Sequence, residues 1–198
     1  MIVIKQKSPA PERDFFVLRR YVKVKFMKKP TTILSDEHKN ILKVIGSVLK
    51  QCEEIESGKE IDKDFFAKAV DFIRNYADKF HHSKEEDILF VELNKDGVLE
   101  HCNPIGQMLH EHSLGRGFVK GLSEAVLKGD KTEAVKNARG YCELLQEHIF
   151  KEDNILYPMA DEALKEDAQK SIAEKFAQVA ELKFEEKEWE WYNEKHGN

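Results

Sequence analysis

Apolar residues recur every three or four positions along most of the chain, which is the spacing of amphipathic α-helices. The first stripe runs from Ile41 to Ile55, with Ser35 before it as an N-cap and Ser57-Gly58 after it as a stop. Three more stripes follow, at about residues 62–93, 104–129 and 134–160. Helices of this length joined by short loops predict an all-α protein, an antiparallel four-helix bundle.

Charge and pattern divide the chain into three regions. Residues 1–30 form a basic N-terminal arm, with nine Lys or Arg against two acidic residues and no clean periodicity. Residues 31–160 form the bundle. Residues 161–198 predict an acidic C-terminal helix at the periphery, packed on the bundle through Ile172, Phe176 and Val179.

Composition narrows the class of protein. With 41% hydrophobic and 35% charged residues and no long apolar run, the chain predicts a soluble protein with no membrane segment. The three cysteines, far apart and without a CxxC pair, indicate reduced thiols and a cytoplasmic location. The acidic body argues against nucleic acid as a partner, because phosphate contacts dominate that affinity.

Two segments of the chain are nearly the same. HHSKEEDILF at residues 81–90 and HIFKEDNILY at residues 148–157 align without a gap. Each places a carboxylate four residues after a histidine, Glu85 after His81 and Glu152 after His148, and an α-helix stacks such a pair on one face. Imidazole and carboxylate together suit iron or manganese. Two such helices facing each other predict a two-metal site.

The other two helices each offer a histidine for this site. His38 and His112, like His148, lie near the centre of the apolar stripe of their helix. His81 lies at the edge of its stripe, and an α-helical wheel turns His82 further towards solvent. A set of inward histidines and carboxylates on four helices indicates a metal, since unpaired buried charges are costly.

Several neighbours compete for places in the ligand set. His82 and Glu86 are the second choice on the second helix, and Asp153 competes with Glu152 on the fourth. His110 and His112 are about 200° apart on the third helix, so only one can face the core, and His112 fits better. Other site classes fit poorly: the order is His-x-x-x-Glu and not the Glu-x-x-His of ferritin-like proteins, and HExxH, P-loop and GxGxxG patterns are absent.

Together these residues resemble the hemerythrin-like (HHE cation-binding) family. The matching pieces occur in the family's order across about residues 31–160: Glu37-His38, His81-x-x-x-Glu85-Glu86 with Ile88-Leu89-Phe90, Glu111-His112, and His148-x-x-x-Glu152 with Ile155-Leu156-Tyr157-Pro158. The resemblance implies a four-helix bundle holding two iron ions. Glu85 and Glu152 would then bridge the ions, with His38, His81, His112 and His148 as terminal ligands.

The sequence also departs from the family pattern. Oxygen-carrying hemerythrins have two histidines one turn apart on the third helix, whereas here Arg116 follows His112 by one turn. The segment Pro104-Ile105-Gly106 resembles the di-iron proteins of iron–sulfur centre repair, but their additional histidine between His38 and His81 is absent. Either His82 or His110 supplies a further ligand, or one iron keeps an open position, which favours reactivity.

Two functions of different classes follow from the resemblance. The first is a non-haem di-iron protein that binds O₂, NO or peroxide at an open iron position, in sensing, detoxification or iron–sulfur repair. An enzymatic version needs an electron-transfer or iron–sulfur protein as partner. The alternative is a metal-stabilised, iron-sensing or protein-interaction module without redox chemistry, which would fold with metal but show no ligand reactivity.

Overall fold

Five helices make up the residues that the computed structural model describes, 28–99 and 103–183. They are α1 (Pro30–Glu56), α2 (63–93), α3 (Ile105–Lys128), α4 (131–163) and α5 (Glu166–Lys183). No strand occurs within those two ranges, so the all-α prediction is confirmed. The predicted N-terminal arm falls almost entirely outside the described residues, as do His101, Cys102 and the C-terminal tryptophans.

Most of the predicted helix ends are confirmed by local chemistry. Asp62 caps the start of α2 by accepting from the Phe65 N–H at 2.9 Å, and Ser57 follows the last residue of α1 as its C-cap. Gly129 ends α3 with a positive φ of 72°, which glycine adopts without strain, and Asp130 directly caps α4.

The predicted start of the first helix at Ser35 is wrong. α1 begins at Pro30, whose fixed φ suits the first helical position and which has no N–H to leave unpaired. Ile33 and Leu34, which the sequence pattern placed before the helix, lie inside it and are buried. The Ser35 hydroxyl instead donates to Asp153 Oδ1 in α4 at 2.6 Å.

Two of the helices are not regular α-helices. α2 becomes a π-helix at Ile73–His82 and again at Glu85–Leu89, and α4 does so at Glu152–Leu156. A π-helix closes i→i+5 hydrogen bonds and so fits more residues into each turn. Residues in and after these segments are therefore rotated from the positions that an α-helical wheel predicts.

The bundle has an apolar cluster on each side of a polar layer. The larger cluster includes Val48, Phe66 and Leu122, and the smaller one includes Leu34 and Leu93. Along α1 the chain passes from the smaller cluster to the larger, and along α2 it passes back; α3 and α4 repeat this alternation. The helices therefore run antiparallel, as predicted, and their polar residues meet in the layer between the clusters.

The C-terminal helix closes one side of the bundle. α5 packs against α1 and α2, where Ile172 and Phe176 join the smaller cluster and Val179 contacts the larger. This confirms the predicted packing of the peripheral helix. None of the helices in the described ranges has the length and apolarity that a membrane span requires.

Candidate metal centre

Four buried histidines, one from each bundle helix, point a ring nitrogen towards the centre of the polar layer. His38 Nε2 lies 3.0 Å from His81 Nε2, and His112 Nε2 lies 3.0 Å from His148 Nε2. Each of these four histidines is at most 2% exposed. The structure thus brings the four predicted histidines together as two facing pairs.

Two fully buried carboxylates lie between these pairs. Glu85 places Oε1 3.7 Å from His81 Nε2 and Oε2 3.5 Å from His112 Nε2. Glu152 places Oε2 3.3 Å from His38 Nε2 and Oε1 3.2 Å from His148 Nε2. Each carboxylate therefore turns one oxygen to each histidine pair, which is the arrangement of a bridge between two cations.

The outer nitrogens of the same four rings are held by a second set of carboxylates. The Nδ1–carboxylate distances are 3.0 Å for His38–Asp153, 3.2 Å for His81–Glu37, 2.7 Å for His112–Glu86 and 2.8 Å for His148–Glu111. An ionised carboxylate only accepts, so each Nδ1 carries a proton, and Nε2 is the inward nitrogen that is left to bind a metal ion. Such outer partners orient metal-binding imidazoles and raise their basicity.

Two lysines complete this outer set. Lys84 donates to Glu37 Oε1 and Lys151 to Glu111 Oε1, so each lysine fixes the carboxylate that holds a histidine. Lys84 is fully buried, with its ammonium 3.5 Å from the centre of the Phe80 ring. A cation over an aromatic face replaces part of the hydration that burial removes.

His82 is the main correction to the ligand geometry expected from sequence. The α-helical wheel turned it towards solvent, but it is only 6% exposed and stacks on the His112 ring at 3.8 Å. The reason is the π-helical segment that ends at His82, because its wider turn brings two consecutive residues inward. Its Nδ1 lies 3.5 Å from Asp78 Oδ1, too far for a good hydrogen bond.

The potential ligand atoms fall into two groups. Cluster A consists of His38, His81, Glu85 and Glu152, and cluster B of His82, Glu85, His112 and His148. In each cluster the ligand atoms all lie within 4.8 Å of one another and every residue is buried. Glu85 belongs to both.

The chemistry of these residues fits a pair of cations. Neither oxygen of Glu152 and only one of the two on Glu85 has a hydrogen-bond partner among the described residues. Buried charged oxygens without partners are costly, and a bound metal ion removes that cost. Two ligand atoms held at right angles about 2.1 Å from one metal lie about 3.0 Å apart, which matches the facing Nε2 pairs.

The electrostatics of the metal-free site point the same way. Burial and then repulsion from Glu152 raise the pKa of Glu85, so a second negative charge beside Glu152 is unfavourable without a cation. Burial opposes ionisation of Glu152 too, but the adjoining His148 and His38 outweigh it and lower its pKa. Burial lowers the pKa of His38, yet Asp153 and Glu152 raise it overall to about 9. A bound cation would offset these shifts, because metal binding and protonation compete at the same ligand atoms.

The remaining sequence alternatives have clear positions. His110 is exposed on α3 and does not approach the centre. Asp153 and Glu86 contact the outer Nδ1 atoms of His38 and His112. Arg116, the residue in the place of a second α3 histidine, donates to Glu86 and to Asp78 at 2.7 Å.

Sequence reasoning missed one residue at the centre, Tyr157. Its hydroxyl donates to Glu85 Oε1 and lies 3.5 Å from His38 Nε2. The signal was present, because the two repeated segments end in Phe90 and Tyr157, and only the tyrosine carries a polar atom. In the first half, Phe90 packs near His112 without donating a hydrogen bond.

A cavity of about 300 Å³ reaches cluster B from the surface between α2, α3 and α4. His82, His112 and His148 form part of its wall, together with Tyr141 and several aliphatic side chains. Of the cluster A residues, none lines it. The two clusters therefore differ in access.

The model of the hemerythrin HHE cation-binding domain matches residues 29–160 of the chain. The protein belongs to this hemerythrin family. Neither a curated protein nor a solved structure matches the chain. The matched range contains nearly all of the four bundle helices and every residue of clusters A and B.

Proposed function

We propose that the chain is a non-haem di-iron protein that binds O₂, NO or peroxide at the iron next to the cavity. The observation that carries this proposal is the split orientation of Glu85 and Glu152, each with one oxygen towards each histidine pair. His38 and His81 would hold one iron, and His112 and His148 the other, with both glutamates as bridges. His82 would be a further ligand of the second iron, with His112 and His148.

Bound iron would supply redox chemistry and a coordination position for a small ligand. The residues of this chain control what surrounds that position. Asp153, Glu37, Glu86 and Glu111 keep a proton on each outer nitrogen and hold the rings in place. The aliphatic side chains of the cavity wall give a small apolar ligand an apolar approach on that side.

Access favours cluster B as the side on which the ligand binds. Its three histidines face the cavity, whereas cluster A lies behind them and beside the Tyr157 hydroxyl. Tyr157 can donate a hydrogen bond to Glu85 or to an oxygen atom held near it. We place the protein in the cytoplasm, in ligand sensing, detoxification or iron–sulfur repair, and any turnover requires an electron-transfer or iron–sulfur protein partner.

The test is metal analysis of protein expressed with iron and purified without oxygen, followed by optical and Mössbauer spectra before and after exposure to air or NO. We expect about two irons per chain and a spectrum that changes with the gas. A single metal, or zinc in place of iron, contradicts the proposal.

The enclosure of cluster A favours a second candidate, a metal-stabilised interaction or iron-sensing module. In that case metal raises the melting temperature, but the spectrum of the loaded protein does not respond to O₂, NO or peroxide.

A further inference from the structure

The cavity beside cluster B is much larger than a diatomic gas or peroxide needs. Its volume is about 300 Å³, whereas one water molecule occupies about 30 Å³ in the liquid. Pockets that bind organic molecules begin at about this size and have mostly apolar walls with few polar groups. Here Ile73, Val119, Leu144 and Leu145 supply apolar wall.

Two cations stand at the surface end of the cavity. Arg74 and Lys120 are exposed, line the cavity and form no ion pair with any residue in the described ranges. The third cation, Arg116, is held between Asp78 and Glu86. Arg74 and Lys120 are therefore the charges at the mouth that can pair with an anionic group.

Tyr141 lines the cavity and carries a buried polar group next to it. The residue is 3% exposed, and its hydroxyl has no hydrogen-bond partner among the described residues. Burial raises the pKa of Tyr141, so the hydroxyl is neutral and can donate or accept. Buried hydroxyls are normally hydrogen-bonded, and this one has almost no exposed surface, so an occupant of the cavity contacts it only when the Tyr141 ring turns towards the cavity.

From these three observations we propose that the cavity binds a small organic acid with an apolar body, its acid group at Arg74 and Lys120. A second polar atom of the same molecule contacts the Tyr141 hydroxyl. The body lies beside His82, His112 and His148. The inference rests on the proposed function only in this last respect, since an occupant there would share the open iron position.

The probes for the test are 4-hydroxyphenylacetate, phenylacetate and 4-methylphenol, titrated calorimetrically into the full chain with and without iron. The first carries both polar groups, the second lacks the hydroxyl and the third lacks the acid. We expect the first to bind best and each loss to weaken binding by about 3–10-fold, the usual effect of one hydrogen bond.

Surface and interior variants then locate the binding. Arg74→Gln with Lys120→Gln should weaken both acids and leave 4-methylphenol unchanged. Tyr141→Phe should abolish the preference for 4-hydroxyphenylacetate over phenylacetate. No binding of any probe to the wild-type chain, or equal effects of these variants on all three probes, would overturn the proposal.

A matched glycine pair tests the cavity itself. A Cβ at Gly115 would lie 3.6 Å from Tyr141 Cε2 and 3.9 Å from Leu144 Cδ2, whereas a Cβ at Gly117 meets nothing within 4 Å. Gly115→Leu should fill the space and weaken the acids by at least about tenfold, and Gly117→Leu should not. If Gly115→Leu does not fold, the combined Arg74→Gln and Lys120→Gln variant still tests the proposal.

The two proposals fail separately. If the chain takes up two irons and responds to NO but does not bind the acids, only the organic-acid proposal is contradicted. Binding of the acids to a chain that takes up no iron supports the cavity proposal and contradicts the di-iron function.

Discussion

The two halves of the bundle, residues 30–93 and 105–163, hold the same chemistry in the same order. A Glu-His pair on the first helix of each half is followed by a His and two acidic residues on the second: Glu37, His38, His81, Glu85 and Glu86 in one half, and Glu111, His112, His148, Glu152 and Asp153 in the other. Each outer contact in one half has its counterpart in the other.

Besides the exchange of Glu86 for Asp153, the surroundings of this common centre differ at three corresponding positions. His82 corresponds to Ile149, Phe90 to Tyr157, and fully buried Lys84 to Lys151, whose side chain is 31% exposed. The first difference adds a histidine on the cavity side, and the second adds a hydroxyl on the enclosed side. A symmetric set of ligands thus sits in asymmetric surroundings, which is a way to give two like metals unlike roles.

Removing one of the two central carboxylates should have the largest effect, because each of them contacts both histidine pairs. Glu152→Gln removes negative charge that both cations would share, so we expect loss of both metals or reduction to one. Melting of the metal-loaded chain should fall further than that of the metal-free chain, which loses only the attraction of Glu152 to His38 and His148. Metal analysis and calorimetry check this.

Glu147→Gln is the matched control for the bridge, since Glu147 is exposed on the same helix. This control should change neither the metal content nor the melting temperature. Equal destabilisation of the loaded and metal-free forms by Glu152→Gln would mean that Glu152 has a structural partner and is not a ligand.

The consecutive histidines of α2 should separate the two metals. His81→Asn removes a group from cluster A and His82→Asn one from cluster B, so each should weaken a different iron. Mössbauer spectra of partly loaded protein can distinguish the sites, and His110→Asn, an exposed change, serves as the control. Identical spectra for the two variants would contradict the division into clusters.

The outer carboxylates should matter less than the ligands, and equally in the two halves. Glu86→Gln and Asp153→Asn leave His112 and His38 with a weaker acceptor at Nδ1. We expect each to reduce iron affinity by about 10–100-fold, the usual cost of losing such a partner. Competition with a chelator measures the iron affinity. A loss of affinity in only one of the two variants would contradict the expected equivalence of the halves.

Tyr157→Phe makes the second half resemble the first, where Phe90 stands. It removes the only hydroxyl donor to Glu85 Oε1 found among the described residues. In the metal-free chain this should lower the free energy of unfolding by about 1–3 kcal/mol, the cost of leaving a buried group unpaired. Phe90→Tyr, measured by the same denaturant titration, should not restore it.

Acid should reveal a smaller contribution of Glu86 in the metal-free chain. A hydrogen bond from His112, only partly opposed by burial and assisted by Arg116, lowers the pKa of Glu86 to about 2. Because this pKa is depressed, the carboxylate contributes stability above its ordinary pKa and loses it as the pH falls towards 2. Glu86→Gln should therefore flatten the fall in melting temperature between pH 4.5 and pH 2. An unchanged slope would contradict this.

Periodicity and repetition in the sequence were enough to predict the helices and most of the centre. The i,i+4 spacing of His148 and Glu152 requires only one helical turn, and their 3.2 Å contact confirms that local argument. The position of His82 depends on hydrogen bonding along a whole helix, and a wheel with a fixed angle cannot register a change to π-helix. The link from Tyr157 to Glu85 joins two helices, and no periodicity within either one specifies it.

The π-helical segments also affect how this sequence aligns with related sequences and where it tolerates a deletion. A π-turn holds an extra residue within a helix whose ends stay fixed. Deleting one residue from 73–82 can thus be absorbed by a return to α-helix, which would keep Leu89 and Phe90 in the core while leaving one inward place for the two histidines. An alignment with a related chain is therefore expected to need a gap inside α2, and without it His81 and His82 exchange roles.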